Sequence, residues 1–192
     1  MNAAWRAHRI LADPSVEWTS IEKESGDAAY LLTGYVALLA LVPAVSGFIG
    51  VCVVGVVRPG AGAVRATIFD GLFGAVFGYV MTCAMVLALG LLIDALAPLF
   101  GGRRNFDSAF KLAVYSYTPV WLAGIFLLAP GLRFLGLTGF YGAYLLWIGV
   151  PQLMKAPVPS VTTYTAVIVA SACALTFIAA AAQHALFGLA GF

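Results

Sequence analysis

The sequence predicts an all-α polytopic membrane protein, a bundle of five transmembrane helices with a short N-terminal interfacial helix. Hydrophobic residues make up 62% of the 192-residue chain and charged residues only 9%, and the mean hydropathy is +1.00. A soluble domain has about a quarter of its residues charged, so a soluble fold of this chain could not cover its own core. In lipid that constraint disappears. The third observation is a series of long apolar runs with short polar connections between them.

Five apolar runs are long enough, or nearly so, to cross the hydrocarbon core, which takes about 20 helical residues. We expect spans at about residues 31–57, 68–96, 109–129, 135–150 and 161–186. The short connections make neighbouring spans antiparallel and leave no room for a separate soluble domain. We therefore divide the chain into a cytoplasmic segment, residues 1–29, and a five-span membrane domain, residues 30–192.

The N-terminal segment carries a clear start signal for a short helix. Asp13 can cap free backbone N–H groups, and Pro14 is tolerated at the first helical position. We expect this helix to run to about Lys23, with Trp18 and Ile21 on one face. Such a helix lies either on the bilayer surface or folded onto the bundle.

The distribution of Lys and Arg predicts the orientation, because positively charged loops remain in the cytoplasm. With the N-terminus inside, seven basic residues are cytoplasmic and three are on the opposite side. We therefore expect a multi-pass protein of the bacterial inner membrane with a cytoplasmic N-terminus and the C-terminus outside.

Small residues recur at four-residue spacing within the spans. Ser46 and Gly50 form one such pair and Gly74 and Gly78 another. Small side chains let helix backbones approach closely in lipid, where packing replaces the hydrophobic driving force. We interpret these pairs as helix-packing positions.

Ionisable residues within or beside the apolar runs are costly and are therefore the first functional candidates. Asp70 and Asp94 stand 24 residues apart on one predicted helix, about 36 Å at helical rise, so they cannot form a carboxylate pair. We expect each to anchor one end of the span. Asp70 would lie near Arg58 or Arg65.

At the other end of that span, Asp94 has three possible cationic partners. These are Arg103 and Arg104 in the following connection, and Lys111 near the start of the third span. We expect Asp94 to pair with one of them at the cytoplasmic boundary.

Pro119 interrupts the third span and predicts a kink. Proline has no N–H for the carbonyl of Tyr115, one turn earlier, and its ring pushes that carbonyl aside. In lipid the freed carbonyl needs a donor, and the hydroxyls of Tyr117 and Thr118 are near in sequence. Kinked spans occur in transporters and also in ordinary helix packing.

Catalytic signatures do not occur in the sequence. It has no HExxH, no GxSxG and no phosphate-binding glycine loop, so we expect neither an enzyme nor a cofactor or metal. The net charge of +2 indicates no nucleic-acid partner. The expected partners are membrane lipids, a protein at the cytoplasmic face, or a second copy of the chain.

Several segments together resemble the Yip domain family (Ypt/Rab-interacting proteins), specifically its bacterial branch. The resemblance rests on the order and spacing of these segments. They are Leu11-Ala12-Asp13-Pro14 through Glu17-Trp18 and Ile21, Ala97-Pro98-Leu99-Phe100-Gly101-Gly102, Lys111 to Tyr115 and Pro119, Tyr141-Gly142 with Tyr144-Leu145, and Leu153-Met154-Lys155-Ala156-Pro157.

The resemblance implies five spans with a cytoplasmic N-terminus. Eukaryotic members of the family bind prenylated Rab GTPases and act in vesicle traffic. Their Asp-Leu-Tyr-Gly-Pro motif is absent here; the nearest stretch is Asp70-Gly71-Leu72-Phe73-Gly74.

Two functions follow as hypotheses. The first is a non-enzymatic membrane scaffold or adaptor that binds a protein partner or organises lipid. The alternative is a small transporter or channel that moves an ion or small solute past Asp70, Asp94, Lys111 and the kinked spans.

Overall fold

The computed structural model describes residues 3–24, 28–58 and 62–188, which form two short helices followed by five spans. The short helices are α1 (Ala3–Ala12) and α2 (Pro14–Lys23). The spans are Ala28–Val54, Ile68–Phe100, Phe106–Leu128, Gly131–Leu153 and Val158–Gln183. The predicted all-α, five-span bundle is confirmed.

Each span is built around a regular helix. The first joins α3 (Ala28–Leu31) to α4 (Ala37–Ile49) through the π-helical turn Leu32–Val36 and ends in a second one, Gly50–Val54. The second is α5 (Ile68–Leu96) with a final 3-10 turn, and the third is α6 (Phe106–Ala123), which continues as a 3-10 turn. The fourth begins as an 11-residue 3-10 helix, Pro130–Phe140, before α7 (Tyr141–Leu153). The fifth lies within α8 (Val158–Gly188).

The described residues include one small β-ribbon, which lies between the first two spans. Strands β1 (Val56–Arg58) and β2 (Gly62–Val64) pair antiparallel, with Val57 opposite Ala63. The helix of the first membrane span ends at Gly55. The φ of this residue is 88°, a left-handed conformation that favours glycine. The first span therefore stops at Val54 and not at residue 57 as expected.

The third span lies at the centre of the bundle. In the most apolar 18-residue stretch of this span 61% is buried, whereas in the corresponding stretches of the other spans between 11% and 28% is buried. It packs against the second and fourth spans, its neighbours in sequence, and also against the first. The side chains of the third span are therefore surrounded by protein, whereas the outer spans keep one face toward lipid.

The N-terminal helices fold onto one end of the bundle, which settles the question that the sequence left open. Asp13 caps α2 by accepting from the Val16 N–H, and Pro14 is its first residue, as predicted. Trp18 and Ile21 are fully buried, against the third and fourth spans. We call α1 and α2 the cap, and the end of the bundle that they cover the capped end.

Candidate functional site

A buried ion pair joins the two helices of the cap. Arg6 on α1 donates from Nη1 to the Glu17 carboxylate on α2, and the two residues are only 2% and 1% exposed. Arg9 reaches the second Glu17 oxygen at 2.7 Å, and Arg6 also pairs with Glu24. The guanidiniums of Arg6 and Arg9 and two carboxylates therefore hold α1 against α2.

The position of Arg6 keeps its guanidinium charged. Burial by itself lowers the pKa of Arg6, but Tyr115 and the carboxylates of Glu24 and Glu17 raise it more, so the net change is upward. The guanidinium also lies 5.7 Å from the centre of the Tyr115 ring, within cation–π range. The cap is thus tied to the central third span as well as to itself.

Lys111 is a second link between the cap and the third span. Its Nζ donates to the backbone carbonyls of Ile21, at 3.3 Å, and of Glu24. These carbonyls lie at the C-terminal end of α2, where the helix dipole attracts a cation. Lys111 therefore binds the cap to the third span and is not the partner of Asp94.

Aromatic rings continue from the cap into the bundle. Trp18 packs edge-on against Tyr115, and Tyr115 against Tyr35 of the first span with ring centres 5.0 Å apart. The Tyr35 hydroxyl shares a 2.9 Å hydrogen bond with the hydroxyl of Thr118. This column of rings fills the interior below the cap.

Asp94 and Arg104 meet at the capped end, as the sequence predicted. The Arg104 Nε donates to Asp94 Oδ2 at 3.3 Å, with the side chains 65% and 14% exposed. Arg103 is held through its backbone, whose N–H donates to the Met154 carbonyl at 2.8 Å, while its side chain is exposed. The second and fourth interhelical connections therefore meet beside the cap.

Asp70 lies at the opposite end of the bundle, at the start of α5. The Thr67 side chain accepts from the Asp70 N–H at 3.2 Å and donates to the Asp70 carboxylate, an arrangement that caps the helix. The described partner of Asp70 is thus Thr67 and not Arg65. The Arg58 side chain falls outside the described part of the chain.

Tyr117 and Pro119 lie midway along the third span. Tyr117 packs edge-on against Trp121 with ring centres 5.3 Å apart, and the Thr118 hydroxyl is paired with that of Tyr35. Pro119 is buried, and α6 continues to Ala123 before it tightens into the 3-10 turn. The kink itself stays a prediction.

Pro119→Ala is expected to straighten the third span and to raise or leave unchanged the thermal stability, because alanine restores a backbone N–H that can donate to the Tyr115 carbonyl. Helix geometry from spin labels on either side of residue 119, with a thermal melt in detergent, tests this. An unchanged helix axis would show that proline does not bend the span.

Asp94→Asn is expected to lower the stability by no more than about 1 kcal/mol, because the pair with Arg104 is open to solvent on one side. Asparagine retains an oxygen that can accept from Arg104. A thermal or denaturant melt beside the wild-type protein measures the change. A larger loss would mean that the carboxylate charge is essential to the loop junction at the capped end.

The main elements of the capped end that the sequence analysis missed are Arg6, Glu17 as a buried ion, Glu24 and Tyr35. A signal was present for the first two. Arg6 and Glu17 stand on either side of Pro14, which separates two short helices, and opposite charges on the two arms of a helical hairpin can face each other.

The comparisons with known proteins agree with this architecture. The sequence model of the Yip1 domain family matches residues 9–181. The inner membrane protein YohC of Escherichia coli strain K12 is 28% identical over 150 residues, which are 76% of this chain and 77% of YohC. YohC of Escherichia coli O6:H1 matches equally well. No solved structure matches the chain.

Proposed function

Because the chain belongs to the Yip1 domain family of multi-pass membrane proteins, we propose that it is a non-enzymatic adaptor whose cap is the docking face for a protein partner. We place it in the bacterial inner membrane, where the name of its relative YohC places that protein. The observation that carries the proposal is the buried Arg6–Glu17 pair that joins the two helices of the cap.

A buried ion pair adds little to stability, since desolvation of the two charges offsets their attraction. Its effect here is to hold α1 and α2 in one arrangement. A face fixed before binding loses less conformational entropy when a partner docks. The outer surface of α2 presents the exposed Val16 and the side chains of Thr19, Ser20 and Lys23.

We further propose that the cap faces the cytoplasm. The loops that meet beside it carry Arg103, Arg104 and Lys155, and Lys155 pairs with Glu22 of the cap. These residues belong to the basic set that the positive-inside rule assigns to the cytoplasm.

Topology reporters fused to the two ends of the chain test the orientation. We expect the N-terminal reporter to be active only in the cytoplasm and the C-terminal reporter only outside, since five spans place the ends on opposite sides. Reporters on the same side, or in the reversed arrangement, would contradict the proposal.

Site-specific photo-crosslinking in intact cells tests the docking face. A photoreactive residue at Val16 or Ser20 is expected to give a discrete protein adduct, whereas the same probe at Phe177, exposed on the fifth span, gives none of that mass. Adding Arg6→Ala should weaken the adduct, because the cap is then no longer fixed. No adduct at either cap position, or one unaffected by Arg6→Ala, would refute the adaptor.

Transport, the alternative, finds less support in the geometry. Asp94 and Lys111 lie at the capped end and have separate partners, whereas Asp70 lies at the opposite end. The buried rings of Trp18, Tyr115 and Tyr35 fill the interior directly below the cap. Solute flux into reconstituted vesicles that changes with Asp70→Asn would favour transport over the adaptor.

A further inference from the structure

A cavity of about 610 Å³ lies between the first three spans and extends to the end of the bundle opposite the cap. Glycine and alanine form much of its wall, so the helices leave room there that larger side chains would fill. The small residues of this wall are Ala40, Ala44, Gly47, Gly71, Gly74, Ala75 and Gly78. We call it the three-span cavity.

Gly78 faces open space in this wall. A Cβ atom built at Gly78 would meet nothing within 4 Å. By contrast, a Cβ at Gly71 would lie 2.0 Å from the Cys52 sulfur. The glycine at 71 therefore permits close packing of the first two spans, whereas the glycine at 78 leaves the cavity open.

The interior of the cavity is mainly apolar. Phe48 and Leu127 line it, and the Trp121 indole donates from Nε1 to the Thr82 hydroxyl at 3.2 Å. The indole and hydroxyl thus satisfy each other. An occupant of this region needs a hydrocarbon body.

Two side chains of opposite charge line the end of this cavity that is farthest from the cap. Asp70 belongs to the first turn of α5, and Arg133 to the 3-10 helix that begins the fourth span. The Thr67 hydroxyl occupies one Asp70 oxygen. Within the described ranges neither residue forms an ion pair, so a carboxylate and a guanidinium are both available to a ligand.

We propose that the three-span cavity binds one phospholipid of the ethanolamine class. The lipid phosphate would pair with the Arg133 guanidinium, the primary ammonium with the Asp70 carboxylate, and one acyl chain would fill the apolar interior. A guanidinium suits phosphate because it can donate two parallel hydrogen bonds, and an ammonium has three N–H donors for a carboxylate. This inference does not depend on the adaptor proposal.

The chemistry of the two charges selects among membrane lipids. A choline headgroup carries no N–H and cannot donate to Asp70. A glycerol headgroup has no cation and leaves a net negative charge near the carboxylate. Ethanolamine lipid satisfies both residues, so we expect it to be retained over the other two.

The test is competition among phosphatidylethanolamine, phosphatidylcholine and phosphatidylglycerol. The protein is delipidated, incubated with equimolar mixed micelles of the three, and the bound lipid is measured by native mass spectrometry. Phosphatidylethanolamine should predominate. Asp70→Asn or Arg133→Gln should weaken its binding about tenfold or more, as expected for loss of a charge-assisted hydrogen bond. Equal retention of the three lipids would overturn the proposal.

Three further variants separate lipid binding from folding. Gly78→Leu should leave the melting temperature unchanged or raised, since the site is open, yet abolish phosphatidylethanolamine retention by filling the cavity. Thr67→Ala should lower the melting temperature but keep lipid selectivity, because the carboxylate remains. Asp107→Asn, the matched control, removes an acidic residue from the first turn of the third span and should change neither.

Other combinations of results contradict the inference. If Thr67→Ala and Asp70→Asn have the same effect on lipid retention, Asp70 acts only as a helix cap. If Gly78→Leu folds normally and retains wild-type phosphatidylethanolamine, the acyl chain does not occupy the three-span cavity.

Discussion

Arg6→Ala is expected to destabilise the protein by about 3–5 kcal/mol, because it leaves the buried Glu17 carboxylate without its main partner. Arg6 and Glu17 are both almost completely buried, so water cannot replace the lost guanidinium. Unfolding in a denaturing detergent, followed by tryptophan fluorescence, measures the change, since Trp18 on α2 of the cap is fully buried in the native state.

Arg9→Ala is the matched control. Arg9 also contacts Glu17, but its side chain is 38% exposed, so we expect a loss of no more than about 1 kcal/mol. The double variant Arg6→Ala with Glu17→Ala should be more stable than the sum of the two single changes implies, because the two residues interact directly. Additive effects would show that the pair is not coupled, and equal effects of Arg6→Ala and Arg9→Ala would show that burial does not matter.

Gly50→Ala is expected to destabilise the bundle by about 1–3 kcal/mol or more, the usual cost of overpacking. A Cβ at Gly50 would lie 2.1 Å from the Leu127 backbone oxygen. A backbone oxygen cannot rotate away as a side chain can, so the first and third spans must separate. The same denaturation assay measures the loss.

Gly78→Ala is the control for Gly50→Ala. Both replace a glycine on a span by alanine, but Gly78 faces open space. Alanine there should be neutral or stabilise the helix by up to about 1 kcal/mol. If both variants lose the same stability, the close contact between Gly50 and Leu127 is not what limits the substitution.

The regular parts of the fold were predictable from local signals. The 29 residues of α5 coincide with the expected second span because Thr67 and Asp70 mark its start and Pro98 lies just beyond its end. The start of α2 was predictable from Asp13-Pro14, because Asp13 is the N-cap residue and Pro14 the first residue of the helix. The fourth span was expected to begin at residue 135 but starts at Gly131, because a 3-10 helix does not have the apolar period of an α-helix.

The candidate site was predictable only where partners are close in sequence. Asp94 and Arg104 are separated by a tight turn at Gly101 and meet as expected. Lys111 was a candidate partner of Asp94, but its acceptors are carbonyls of the cap some 90 residues earlier. The spacing of residues within one segment of the sequence does not indicate which distant helix will end next to a given side chain.

The four-residue glycine patterns show the same limit. Gly50 and Gly78 look alike in sequence, since each follows a small residue four positions earlier. In the structure one packs against the backbone of another span and the other borders a cavity. Which glycine touches a neighbouring helix depends on the rotation of each helix, and the all-round apolar character of these spans leaves that rotation undetermined by sequence.

Docking of the cap has a consequence for the order in which the chain assembles during synthesis. The contacts of α2 are with residues made much later. Trp18 lies against Gly149, Thr19 bonds Gln152 and Glu22 pairs with Lys155. The helices of the cap, which are made before the five spans, thus complete their packing only after the fourth span has inserted. A nascent chain interrupted before residue 149 can still form the contacts of the cap with Lys111 and Tyr115, but it lacks those with the fourth span, so the cap of an unfinished chain is held at one side only.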